Sequence, residues 1–185
     1  MPRKQDKRVQ HTIEVLHDTF IRLMYQKNGN RISVRELCTA AGVNRSTFYV
    51  YYQNMDELLE EIESNAYEVL ETIFQDENSG AMQLQRSMEF IQQNKKLFWI
   101  MISRSESDVM ERFYQIMERR FIRKSNLNHR NSDVQEAQYL YVMIYTGTVG
   151  VIQKWLENDC REDPARIAKM IWQMILFCEN HNLFL

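Results

Sequence analysis

Two prolines and five glycines are all that punctuate this 185-residue chain. These are the strongest breakers of regular structure, so their scarcity leaves little material for loops. Between the few breaks, apolar residues recur at three- and four-residue steps. From about Asp6 to Gln26, Val9, Ile13, Leu16, Phe20 and Met24 form one such stripe, ended near Asn28-Gly29-Asn30. No segment alternates with period two for long enough to argue a strand. The expectation is an all-α fold of about nine helices. After the three N-terminal ones, a longer fourth carries Leu58, Ile62, Val69 and Phe74 toward Gln75. Further helices follow at about 81–93, 95–103, 106–126, 133–158 and 164–182, with Asn126 to Ser132 the longest polar connection.

Composition narrows the class. Hydrophobic residues at 44% and charged residues at 26% are ordinary globular values. No apolar run approaches the roughly 18 residues that cross a bilayer. The N-terminal residues lack the apolar segment of a secretory signal. Cys38, Cys160 and Cys178 are odd in number and widely spaced, which reads as free thiols in a reducing cytoplasm.

Residues 32–52 carry the most specific local pattern. Ser33 can cap a helix with Glu36 at the capping-box position, and Val34, Leu37 and Ala41 share one face of it. Gly42 supplies a sharp turn, and Val43 resumes the apolar face before Asn44 caps a second, short helix. There Phe48 and Tyr52 point inward, leaving Ser46, Tyr49, Val50 and Gln53 outside with Arg45 at the margin. This is the form of a helix-turn-helix DNA reader. It is equally the form of an ordinary helical hairpin whose aromatic residues are core.

Charge distribution supports the first. Residues 1–55 hold nine Lys/Arg against four Asp/Glu, whereas residues 56–185 hold fourteen against twenty-one. A basic N-terminal third is drawn to phosphate and an acidic remainder is repelled, so the split places the N-terminus on a duplex. Asn54 caps the fourth helix with Glu57 at the capping-box position, joining a basic head, residues 1–55, to an acidic body, residues 56–185.

With four helices in this order, Ile32 to Leu59 resembles the DNA-binding domain of the TetR family of bacterial transcriptional regulators. The residues that carry the resemblance are Ser33-Val34-Arg35-Glu36-Leu37, Ala41-Gly42-Val43, Asn44-Arg45-Ser46-Thr47-Phe48-Tyr49, and Tyr52 followed by Asn54, Asp56, Glu57, Leu58 and Leu59. The resemblance implies that Asn44, Arg45 and Ser46 begin the groove-facing helix and that Ser33, Thr47 and Tyr49 touch phosphates. Hydroxyls suit phosphate, and Arg45 suits guanine. Two positions depart from the pattern. Met55 stands where the family usually has a phosphate-binding lysine, and Tyr52 replaces a commoner phenylalanine, which needs a partner for its hydroxyl. Arg3, Lys4, Lys7 and Arg8 suit an arm on the DNA and suit a solvated basic tail as well.

The resemblance also implies a homodimer on a palindromic operator, formed through the last two helices. Gly147, Val151 and Trp155 on the first, and Ile171 and Met174 on the second, are the candidate interface residues. Glycines inside a helix cost about 1 kcal/mol each relative to alanine, and close approach of another helix would offset that. Eleven methionines and many aromatic residues suit an adaptable apolar cavity, with Phe98, Met101, Tyr114, Met117, Tyr141 and Tyr145 as candidate lining. The same residues would equally fill a core. Regulation is expected to be repression relieved by a small apolar or amphipathic inducer, or alternatively control by a protein partner, a co-activator or adaptor. His11, His17, His129 and His181 are scattered, with no partner at metal-ligand spacing. No nucleophile elbow, phosphate loop or dinucleotide fingerprint is present. Neither a metal, a cofactor nor an enzyme activity is expected.

Overall fold

The structure is a computed structural model that describes residues 4–75, 80–104, 111, 114, 115, 117–119 and 134–180. Within them the named helices are α1 Lys4–Gln26, α2 Val34–Ala41, α3 Arg45–Tyr51, α4 Met55–Gln75, α5 Gly80–Gln93, α6 Lys95–Ser103, α7 Val134–Glu157 and α8 Pro164–Asn180. Residues 111, 114, 115 and 117–119 are also helical, and no strand occurs among the described residues. Most of the helix expected over 106–126, the connection 126–132, and Arg3, Phe113, His129 and His181 lie outside them.

Three helices end by the same device. After α1, the N–H of Gly29 donates to the Met24 carbonyl at 2.9 Å and that of Asn28 to Tyr25 at 3.1 Å. After α2, Val43 donates to Cys38 at 3.0 Å and Gly42 to Thr39 at 3.4 Å; after α7, Cys160 donates to Trp155 and Asp159 to Leu156, both at 2.9 Å. Each pair satisfies carbonyls that a helix end would otherwise leave bare, and each needs a left-handed residue at the turn. Asn28, Gly42 and Asp159 supply it, with φ of 52°, 67° and 60°. Helix starts are equally local in origin. The Glu57 N–H donates to Asn54 Oδ1 at 2.9 Å, and the Glu57 carboxylate reaches back to the Gln53 N–H at 2.6 Å. Pro164, with fixed φ and no N–H to leave unpaired, opens α8 behind Asp163, whose carboxylate accepts from the Ala165 N–H at 2.7 Å.

One core runs through head and body. Leu16, Phe20 and Met24 of α1 meet Leu37 and Cys38 of α2, Phe48 of α3 and Tyr52 beyond it, and Leu58, Leu59 and Ile62 of α4. The same cluster continues through Leu84 and Met88 of α5, Leu97 and Ile100 of α6, Trp155 of α7 and Ile171 of α8. Helix α5 lies along α8, α7 packs on α6 and α8, and α1 touches both α2 and α6. The buried stripe of α4 is Leu58, Ile62, Ala66 and Leu70; Val69, expected inside, is exposed. Steps of four carry the stripe past position 69 to position 70. Cys38, Cys160 and Cys178 are buried and form no disulfide.

Gly42 makes the left-handed turn between α2 and α3. Nothing crowds a Cβ there, so its positive φ is the whole requirement. Gly42→Ala should therefore cost about 1–2 kcal/mol through the left-handed backbone alone, read as a lower urea midpoint with an unchanged slope.

Candidate nucleic-acid interface

The turn at Gly42 delivers Asn44 in an extended conformation, φ −70° and ψ 144°, from which α3 starts. Asn44 occupies the cap position, yet its side chain makes no capping hydrogen bond and stays exposed. Along the helix the inward residues are Phe48, fully buried, and Tyr52, with their rings 5.6 Å apart. Arg45, Ser46, Tyr49, Val50 and Gln53 are exposed, and Thr47 is half-buried. Tyr49 keeps 51% of its surface while its ring packs edge-on against Phe48 at 5.4 Å. A short helix thus presents guanidinium, hydroxyl, phenol and amide groups on one side.

The Tyr52 hydroxyl has partners. His17 Nε2 of α1 lies 2.8 Å from it, and the Glu61 carboxylate of α4 also engages it. Burial, then the nearby Glu61 and Glu57 carboxylates, push the phenol well above its usual pKa, so it remains a proton donor. Glu61 Oε1 stands 3.7 Å from His17 Nε2. Burial lowers the His17 pKa from its ordinary 6.5, a fall that Glu61 and Asp18 only partly oppose. These three side chains tie the end of α3 to α1 and α4, which answers what a tyrosine needs at this position.

Exposed arginines accompany the helix. Arg31 and Arg35 flank Ser33, and with Arg45 they are exposed and make no ion pair among the described residues. Lys27 is held by Glu36 at 2.7 Å. That contact explains why the capping box at α2 is half formed. Ser33 Oγ accepts from the Glu36 N–H at 3.2 Å, while the Glu36 carboxylate turns to Lys27. The Ser33 O–H remains available as a donor. Arg31 and Arg35 were not singled out from the sequence as contacts, although two arginines bracketing a capping serine were the signal for them. Met55 packs half-buried against the core and supplies no cation.

In the body the candidate interface residues divide. Trp155 is 2% exposed and Ile171 1% exposed within the single chain, and the Trp155 indole N–H donates to the Glu162 carbonyl at 3.0 Å. Both are intrachain core; no surface is left for a partner to bury. Val151 is half-buried against the same core. A Cβ on Gly147 would lie 3.4 Å from Met174 Sδ, so the close helix approach expected there is between α7 and α8 of one chain. Gly150 instead faces open space. The exposed apolar residues of these helices are Tyr139, Val142 and Met143 on α7 and Met170 and Phe177 on α8. Among the candidate pocket residues, Phe98 and Met101 belong to the main core. Met117 is half-buried. Tyr114, Tyr141 and Tyr145 form a separate aromatic group with centroids 4.8–5.9 Å apart, the Tyr141 hydroxyl donating to the Tyr114 carbonyl at 3.0 Å.

Comparison with known proteins agrees with this architecture. The family model for bacterial regulatory proteins of the tetR family matches residues 18–62, and one for a transcriptional regulator C-terminal region matches residues 81–176. The chain belongs to the TetR family of bacterial transcriptional regulators, which are DNA-binding regulators and not enzymes. The HTH-type transcriptional regulator YxbF of Bacillus subtilis (strain 168) is 18% identical over 168 residues, 85% of this chain. The chain spans only 43% of that relative's length. A TetR transcriptional regulator from Streptococcus agalactiae 2603V shares the fold with a TM-score of 0.69 at 20% identity, over 92% of this chain and 97% of that one. FadR from Bacillus subtilis, solved in complex with stearoyl-CoA, superposes with a TM-score of 0.67 at 15% identity, over 88% of this chain and 96% of that one. Among the described residues, no helix is long and apolar enough to cross a membrane.

The His17 junction has a pH signature. Because its folded pKa is lowered, the contribution of neutral His17 is fully present above about pH 6.5 and is lost as pH falls toward the folded value. The melting temperature should drop between pH 7.5 and 5.5, and by less in His17→Gln, when both are followed by circular dichroism.

Proposed function

We propose that this chain is a homodimeric repressor that works in the cytoplasm, reads a palindromic duplex operator through residues 33–53 of each protomer and is released by a ligand held in the body. The observation that carries the DNA reading is the outer face of α3. Arg45, Ser46 and Tyr49 stand exposed on a helix anchored from behind by Phe48 and Tyr52, beside the uncompensated Arg31 and Arg35. Guanidinium groups and hydroxyls in that arrangement suit base edges and phosphates of one groove. Asn44, Ser33 and Thr47 complete the contact set. Residues 1–55 act as the head and 56–185 as the body.

The exposed stripe of Tyr139, Val142 and Met143 with Met170 and Phe177 supports a two-fold interface, since positions 139, 142 and 143 share one face of α7 and 170 and 177 one face of α8. The tyrosine group at 114, 141 and 145 supports a small apolar or amphipathic ligand, as does the likeness in fold to a regulator solved with stearoyl-CoA. A signal from there has a short route to the head. Trp99 of α6 packs edge-on against Tyr25 of α1 at 5.4 Å, and Lys96 Nζ lies 5.9 Å from the Tyr25 ring centroid. A shift of α6 would therefore bear on α1. Control by a protein partner is the second reading, favoured by the packing of Phe98 and Met101 into the core.

Electrophoretic shift on the DNA upstream of the chain's own gene tests the proposal. A salt-sensitive, sequence-selective complex containing two chains per duplex is expected. Arg45→Ala and Tyr49→Ala should each weaken it by about tenfold, the order of one lost base or phosphate contact, with unchanged helical content. Equal binding to unrelated DNA would overturn it.

A further inference from the structure

Val50 has no structural reason to be valine. It is 73% exposed, more than any other large apolar side chain among the described residues. It buries nothing in the core, and a β-branched residue lowers helix propensity in a helix already short at seven residues. A single exposed valine on an arbitrary surface would call for no account. Its position here is not arbitrary. At about 100° per residue, Val50 stands about 160° around α3 from Phe48, the buried residue of that helix. With Ser46 one turn earlier, it points most directly away from that anchor. If α3 enters the major groove, Val50 is the side chain driven furthest toward the base edges.

Two methyl groups cannot hydrogen-bond. Set against a donor or acceptor on a base edge they would strip water from it and return nothing. The one methyl group that natural bases offer in the major groove is on C5 of thymine. We propose that Val50 determines specificity by packing on a thymine methyl at one position of each half-site. The assignment rests on the DNA-binding reading above and adds the base that its most outward side chain selects.

The full-length chain would first be used to select duplexes from a random-sequence library. In the selected duplex each thymine pair, taken symmetrically from both half-sites, is then replaced by deoxyuridine, which removes only the C5 methyl. At one symmetric position the replacement should weaken wild-type binding by about fourfold per half-site, the value of one buried methyl. Val50→Ala should bind the thymine duplex more weakly by a similar factor and be indifferent to uracil at that position alone. Alanine is the better helix former, so the variant retains α3. If uracil weakens both proteins equally at every thymine, or neither at any, the Val50 assignment falls while the reader stands. If the selection enriches no sequence, the DNA-binding reading falls and takes the assignment with it.

Discussion

Everything the head can do depends on burying Phe48 and Tyr52. Helix α3 is seven residues long, and a helix that short does not hold together in water on its own propensity. Its existence comes from those two rings entering the core beneath α1 and α4. Their burial also decides which side faces out, because on one helix the anchored and presented faces are fixed by the same 3.6-residue period. The hydroxyl of Tyr52 is brought in only because His17 and Glu61 receive it. The polar junction therefore joins α3 to both neighbouring helices, and a rotation of either is felt at Ser46 and Tyr49.

The body is connected to that junction by packing, without an intervening linker. Tyr25 and Trp99 put α1 of the head in contact with α6, and α6 shares the core that α5, α7 and α8 enclose. A helix set so cannot move alone. The loop after α7 is pinned as well, by the Gln92 amide on the Cys160 carbonyl at 3.1 Å and Lys95 on Asp159 at 2.6 Å, next to the start of α6. These contacts and the exposure of apolar residues farther back on α7 divide that helix into a part buried by its own chain and a part whose apolar side chains face outward.

Most helix ends were legible because their causes are local. Asn28-Gly29, Gly42, Asn54 and Pro164 each act within about five residues, and the named helices run close to the spans read from periodicity. The inward pair Phe48 and Tyr52 was legible for the same reason. Helix α7 was harder to read. It carries Tyr139, Tyr141, Val142, Met143, Ile144 and Tyr145 in near succession, so apolar side chains point in most directions and no stripe stands out. Pattern alone could not tell that Trp155 is buried by its own chain while Tyr139 is exposed. The half-formed capping box at Ser33 and the freed side chain of Asn44 were illegible for another reason: each turns on a competing contact, or its absence, that only three dimensions show.

The proposed reader is the surface around α3. Backbone amide shifts of the isotope-labelled full-length chain, titrated with a selected duplex, address it most directly. The largest changes are expected across residues 31–53, with the exposed face of α7 and α8 nearly unmoved. Changes concentrated on α7 and α8, with residues 31–53 unaffected, would contradict it.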